Sequence, residues 1–194
     1  MRTFLNTGKV AMMSLLAALA VTGVGISQVH AQEEPAPPTE PAPAPAISDA
    51  QILSIVGAVN KMEITLGNIA EGKASGAVVK EYAETMVKEH TKVSDKVTSI
   101  MTALNLQPAE HPAVTATQER TQVATEDLAK LEGVDFDKAY INNQVQVQTD
   151  ILSILDKTLI PAADNADVKN LLTELRESAD AHLKAAQAIQ ASWE

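Results

Sequence analysis

The chain contains no cysteine in its 194 residues. That absence excludes a disulfide framework, a thiolate metal site and a lipidated N-terminal cysteine together, so any fold must stand on packing alone. Basic residues are also short, with 15 Lys and Arg against 25 Asp and Glu. Beyond residue 31 only 13 basic residues remain against all 25 acidic ones, a formal charge of −12. A surface of that sign is a poor partner for nucleic acid or anionic lipid, and keeping the protein soluble is its simplest use. After residue 26 no stretch has the apolar length of a membrane helix, which predicts no transmembrane segment in the mature chain. Nor is there a nucleophile-elbow, phosphate-loop or dinucleotide glycine motif. Gly67, Gly72 and Gly76 are spaced as helix packing and cap residues, and Gly57 and Gly67 would allow close approach of a neighbouring helix.

What is present begins with an export signal. Arg2 and Lys9 precede an almost wholly apolar run from Val10 to Ile26, and Val29-His30-Ala31 offers small residues where signal peptidase cuts. Residues 1–31 read as a cleaved signal peptide, which predicts a periplasmic protein, with peripheral outer-membrane association as the alternative. Residues 32–46 hold six of the nine prolines, alternating with alanine and glutamate. Such a segment prefers an extended polyproline conformation and reads as a linker. Prolines recur only at 108, 112 and 161, between periodic segments, so residues 47–194 suit one domain.

Helical periodicity runs through that domain. Ser48 and Gln51 make a capping box for a first helix whose apolar stripe (Ile52, Ile55, Val59, Met62, Leu66, Ile69) ends at Gly72. Ser75 is placed to cap a second helix reaching about Asn105, antiparallel to the first because the link is so short. After Pro108 and Pro112, Thr115 and Gln118 resemble another capping box. The polar helix they would open runs to Leu131, is closed by Gly133 and lies over the surface. Asp135 would cap a third long helix that Pro161 stops, and a fourth runs from about Asp164 to Trp193. The expected fold is all-α: a ferritin-like four-helix bundle with a long, partly helical crossover between the second and third long helices.

Two of the four histidines interrupt the apolar seams. His90 falls in the row Val79, Ala83, Met86, His90, Val93, Val97, and His182 in the row Leu172, Leu175, Ala179, His182, Ala186, Ile189. Both rings should therefore lie inside the bundle, where each must find a hydrogen-bond partner or a ligand. His111, between Glu110 and Pro112, reads as a solvated loop residue, and the charged run over 88–96 as a solvated helix face.

Several short segments carry a resemblance: Glu63-Ile64-Thr65-Leu66-Gly67, Val79-Lys80-Glu81-Tyr82-Ala83, Met86-Val87-Lys88-Glu89-His90, Phe136-Asp137-Lys138-Ala139-Tyr140 and His182-Leu183. Over about residues 48–192 the chain resembles the bacterial family of predicted outer membrane proteins, domain of unknown function 4142. The resemblance implies a ferritin-like, exported domain without an established activity. His90 and His182 match histidines of the family's motifs, and a third histidine common in the family falls where this chain has Gln148.

A carboxylate-bridged di-iron centre needs Glu-x-x-His on two helices, because side chains three residues apart can share one metal pair. Here Val87 and Ala179 stand three residues before His90 and His182. A looser transition-metal site built from Glu63, His90 and His182 is the alternative, since imidazole suits zinc, copper or iron. Helix register sets Glu63 opposite about residue 85, His90 opposite about Ala58 and His182 opposite about Gln144. The purely structural reading pairs His182 with the amides of Asn143, Gln144 and Gln148, and His90 with Asn60, Tyr82 or Tyr140. The expected function is an exported, non-enzymatic helical-bundle protein of the cell envelope, an interaction or stress-associated module. It would have no cofactor, and an envelope protein or small ligand as its partner. The alternative is a metal-binding ferritin-like protein using core histidines without a complete di-iron motif.

Overall fold

A computed structural model describes residues 47–193. The predicted signal peptide and the predicted linker lie outside the described residues. Six helices follow in order: α1 (Asp49–Lys73), α2 (Ala77–Ala103), α3 (Pro112–Ala129), α4 (Gly133–Ile154), α5 (Ile160–Ala162) and α6 (Ala166–Ala191), with a π-helical turn, Leu155–Leu159, joining α4 to α5. No strand occurs among the described residues.

The helix ends show where local chemistry acted as expected and where tertiary contacts replaced it. Ser48 caps α1 with the reciprocal Ser48 and Gln51 bonds of a capping box. The end of α2 is closed by Asn105, whose φ of 51° lies in the left-handed region, and by the bond from Leu106 N–H to the Met101 carbonyl. The predicted Ser75 cap is corrected. Gly76 is the cap position, and the work is done from another helix by Asp137. Its carboxylate accepts from Ser75 N–H (3.0 Å), Ser75 Oγ (2.6 Å) and Gly76 N–H (2.8 Å).

Three other boundaries shift for similar reasons. Gly72 lies within the last turn of α1 rather than ending it. The crossover helix starts at Pro112, not Thr115, because His111 Nδ1 accepts from Ala113 N–H at 3.2 Å, so His111 is a helix cap rather than a free loop residue. Gly133, with φ +57°, opens α4, and Glu132 rather than Asp135 occupies the cap position.

The long helices pair as α1 with α2 and α4 with α6. Asp137 at the start of α4 touches the start of α2, so those two helices begin at the same end of the bundle. Gln190 near the end of α6 bonds Asn142 near the start of α4, which makes that pair antiparallel. Helix α3 carries the chain back along α1. Gln51 bonds the Glu110 carbonyl near its start, and Lys73 bonds the Ala129 carbonyl at its end. Its apolar side, Ala124 and Leu128, is buried, and Arg120 reaches Asp150 of α4 at 2.7 Å. This is the ferritin-like four-helix bundle with a helical crossover.

Between α1 and α2 the close approach centres on Gly67, where an added Cβ would stand 2.6 Å from Val87 Cγ2. Gly57 makes no such approach, since nothing lies within 4 Å of that position. The apolar core falls into two clusters. One contains Leu66, Met86, Phe136, Tyr140 and Ala186, and the other Ile52, Val97, Leu155, Leu159 and Leu172. Near its middle each long helix also carries buried polar residues, which together form a layer: Asn60 and Glu63 on α1, His90 on α2, Gln144 and Gln148 on α4, and His182 on α6.

Candidate functional site

That polar layer is the chemically distinctive part of the bundle, and it contains two connected sets. The first centres on Glu63, which is fully buried. Its carboxylate accepts from Gln144 Nε2 and from Gln148 Nε2, each at 2.9 Å, so both oxygens are engaged by α4 amides. Burial pushes the Glu63 carboxyl up to about 7, against the opposing pull of the Gln144 hydrogen bond and the Arg120 charge. Tyr82 hydroxyl stands 3.4 Å from both Gln144 Oε1 and the His182 carbonyl. Burial raises the phenols of Tyr82 and Tyr140 above their ordinary range, and the nearby Glu63 carboxyl adds to it, so both remain protonated.

The second set is the histidine pair. The rings of His90 and His182 lie 5.5 Å apart, tilted by 44°. Asn60 Nδ2 donates to the Val56 carbonyl at 3.0 Å, which leaves its Oδ1 as the acceptor facing His90 Nδ1 at 2.6 Å. His90 Nδ1 therefore carries the hydrogen and Nε2 the lone pair. His182 Nε2 lies 2.7 Å from Glu89 Oε2, so in a neutral ring Nε2 carries the hydrogen and Nδ1 the lone pair. Both lone-pair nitrogens are buried without a partner, as is Gln148 Oε1. Burial, reinforced by the neighbouring His182, lowers His90 to about 3, so its ring is neutral across the ordinary pH range.

His90, His182 and Gln148 line one cavity of about 40 Å³. Most of its remaining wall is aliphatic, with Val59, Val93 and Ile151 among the side chains and Leu155 and Leu159 contributed by the π turn. A π turn inserts an extra residue into the helix and re-aims the side chains around it, which is why such turns recur at binding sites.

The structure thus places the expected residues unevenly. His90 and His182 are inside the bundle and adjacent, as the seams required. His90 takes Asn60, one of its expected partners, whereas His182 takes Glu89 of α2 rather than the α4 amides, because Glu63 has claimed those of Gln144 and Gln148. Register sets His90 against Asn60 instead of Ala58, and Glu63 against α4. Tyr140 hydroxyl and Asn143 Oδ1 are buried without partners and contact neither ring by hydrogen bond. Glu63 does not join the histidines in a metal cluster, and among the described residues no three His, Asp or Glu side chains gather to hold an ion. Val87 and Ala179 stand where the di-iron pattern needs carboxylates, so the residues present do not fit that centre.

Glu89 was missed by the sequence reading, which placed it on a solvated face. A signal was available, since Glu89 stands three residues after Met86 and four before Val93, both members of the histidine seam. Its side chain is 44% exposed and closes the layer between α2 and α6.

Comparison with known proteins agrees with this architecture. The crystal structure of a Streptomyces coelicolor protein described as secreted, DUF305, superposes with a TM-score of 0.65 at 10% sequence identity. The match covers 74% of this chain and 92% of that one, a likeness of fold. No curated protein matches the chain in sequence. The sequence profile of the domain of unknown function DUF4142 matches residues 34–189, and the chain belongs to that family.

Proposed function

We propose that this chain is an exported, non-enzymatic module of the cell envelope that binds through its helical bundle. Its partners are an envelope protein or a small ligand, in an interaction or stress-associated role. The observation that carries this reading is how the buried polar groups are used. Glu63 is held by two glutamine amides, His90 by Asn60 and His182 by Glu89, an arrangement that orients groups rather than activating a nucleophile. Ser178, the hydroxyl beside the histidine and carboxylate, donates to Glu89 at 3.3 Å and not to an imidazole nitrogen. It therefore lacks the imidazole base of a serine nucleophile's usual triad.

Export is supported by the charged, apolar and small-residue order of residues 1–31. Peripheral attachment to the outer membrane is the alternative placement of the exported chain. Cell fractionation with mass measurement of the chain's N-terminus tests this. The expected result is a periplasmic or outer-membrane-associated protein beginning at Gln32, and an uncleaved chain retained in the cytoplasm would refute it.

A further inference from the structure

We propose that the cavity between His90 and His182 is a binding site for one soft monovalent metal ion, copper(I), held by His90 Nε2 and His182 Nδ1 with Gln148 Oε1 as third donor. The inference deepens the reading of the bundle as a binding module by naming what its polar layer takes up.

Three observations carry it. First, each ring's hydrogen is committed elsewhere, His90 Nδ1 to Asn60 Oδ1 and His182 Nε2 to Glu89, which leaves two buried lone pairs with no donor. A ligating histidine typically has its second nitrogen tied to a carbonyl or carboxylate in this way, fixing tautomer and orientation. Second, an ion bonded at about 2 Å to one nitrogen of each ring holds the ring centroids roughly 5 to 6 Å apart. The observed separation is 5.5 Å. Third, Gln148 lines the same cavity, and its amide is oriented by donating Nε2 to Glu63, which leaves Oε1 unpartnered.

The surroundings select among cations. A space of about 40 Å³ admits an ion or a few waters and excludes an organic ligand of ordinary size. The three donors are neutral, and the rest of the lining is mostly aliphatic, with Asn60, Ser178 and the single carboxylate of Glu89 as its other polar members. A divalent ion would need more donors or retained waters to offset its charge in such a setting, whereas two or three neutral donors satisfy a monovalent d10 ion. Glu89, behind His182, supplies one balancing carboxylate. Glu63 does not serve here, because both of its oxygens are engaged.

The test uses the full chain, titrated with silver(I) as a redox-inert probe and with copper(I) under anaerobic conditions against a chromophoric chelator. The expected result is one equivalent bound, with nitrogen NMR of the unaltered protein showing coordination shifts at His90 Nε2 and His182 Nδ1 and none at His111. Glu89→Gln, which keeps a hydrogen-bond acceptor but removes the charge, should weaken binding by about 10- to 100-fold. His90→Gln and His182→Gln should each abolish it while the helical signal is retained. Zinc(II) binding in preference, silver(I) binding unchanged in the histidine variants, or no shift at these two nitrogens would overturn the proposal. These outcomes are read on purified protein, so they are separate from the export test above.

Discussion

At the scale of single residues, Glu63 and His90 pull the stability of the bundle in opposite directions with pH. Glu63 is raised from 4.5 to about 7, so its protonated form favours the fold. That contribution is complete below pH 4.5 and is lost as pH rises through 7. His90 is lowered from 6.5 to about 3, so its contribution is present above pH 6.5 and is lost as pH falls through 3. Between pH 4.5 and 6.5 the two slopes oppose, and the wild-type stability should be nearly flat there. Glu63→Gln removes one slope. Urea unfolding of that variant should then show stability climbing by about 1.4 kcal/mol per pH unit across the same window. A flat profile in the variant would show that the buried imidazole does not titrate as its surroundings require.

At the scale of helices, the α1 and α2 pair is set by Gly67. A methyl group there would meet Val87 Cγ2 at 2.6 Å and the Ala83 carbonyl oxygen at 3.4 Å. Valine is stiff about χ1, so it cannot turn aside at low cost. Gly67→Ala should therefore destabilise the protein by about 1–3 kcal/mol despite the better helix propensity of alanine. Adding Val87→Ala should recover most of that loss, and a double-mutant cycle measured by thermal unfolding would show the coupling. Additive effects would place the helices farther apart than the structure has them.

At the scale of the whole molecule, one bundle holds a buried polar layer beside two apolar clusters. A buried polar atom left without any partner costs about 1–3 kcal/mol, so an unfilled layer of this kind weighs against stability. Replacing Asn60, Glu63, His90, Gln144, Gln148 and His182 together by Leu or Met should join the clusters. The melting temperature should then rise by roughly 3–12 °C. The same variant should lose any ion held between the histidines. A fall in melting temperature would mean that the layer's internal hydrogen bonds, rather than a ligand, explain its presence.

The periodicity of the chain determined much of this by itself. The seam containing Met86, His90 and Val93 places an imidazole inside a helix bundle whatever that helix packs against, because a spacing of three and four residues defines one face. Connectivity followed from link lengths, since a link of a few residues between α1 and α2 allows only antiparallel neighbours. Capping was legible where it is local, as at Ser48 and Gln51. It was illegible at Ser75, where the cap comes from Asp137, 61 residues from Gly76. Pairing across the layer was likewise settled by tertiary structure. Glu63 took the amides of Gln144 and Gln148, which left His182 to Glu89 and left Gln148 Oε1 and one nitrogen of each imidazole without a partner. Periodicity states which way a side chain points along its own helix. Which partner it meets depends on the relative rotation and height of another helix, and a shift of one turn changes every pair.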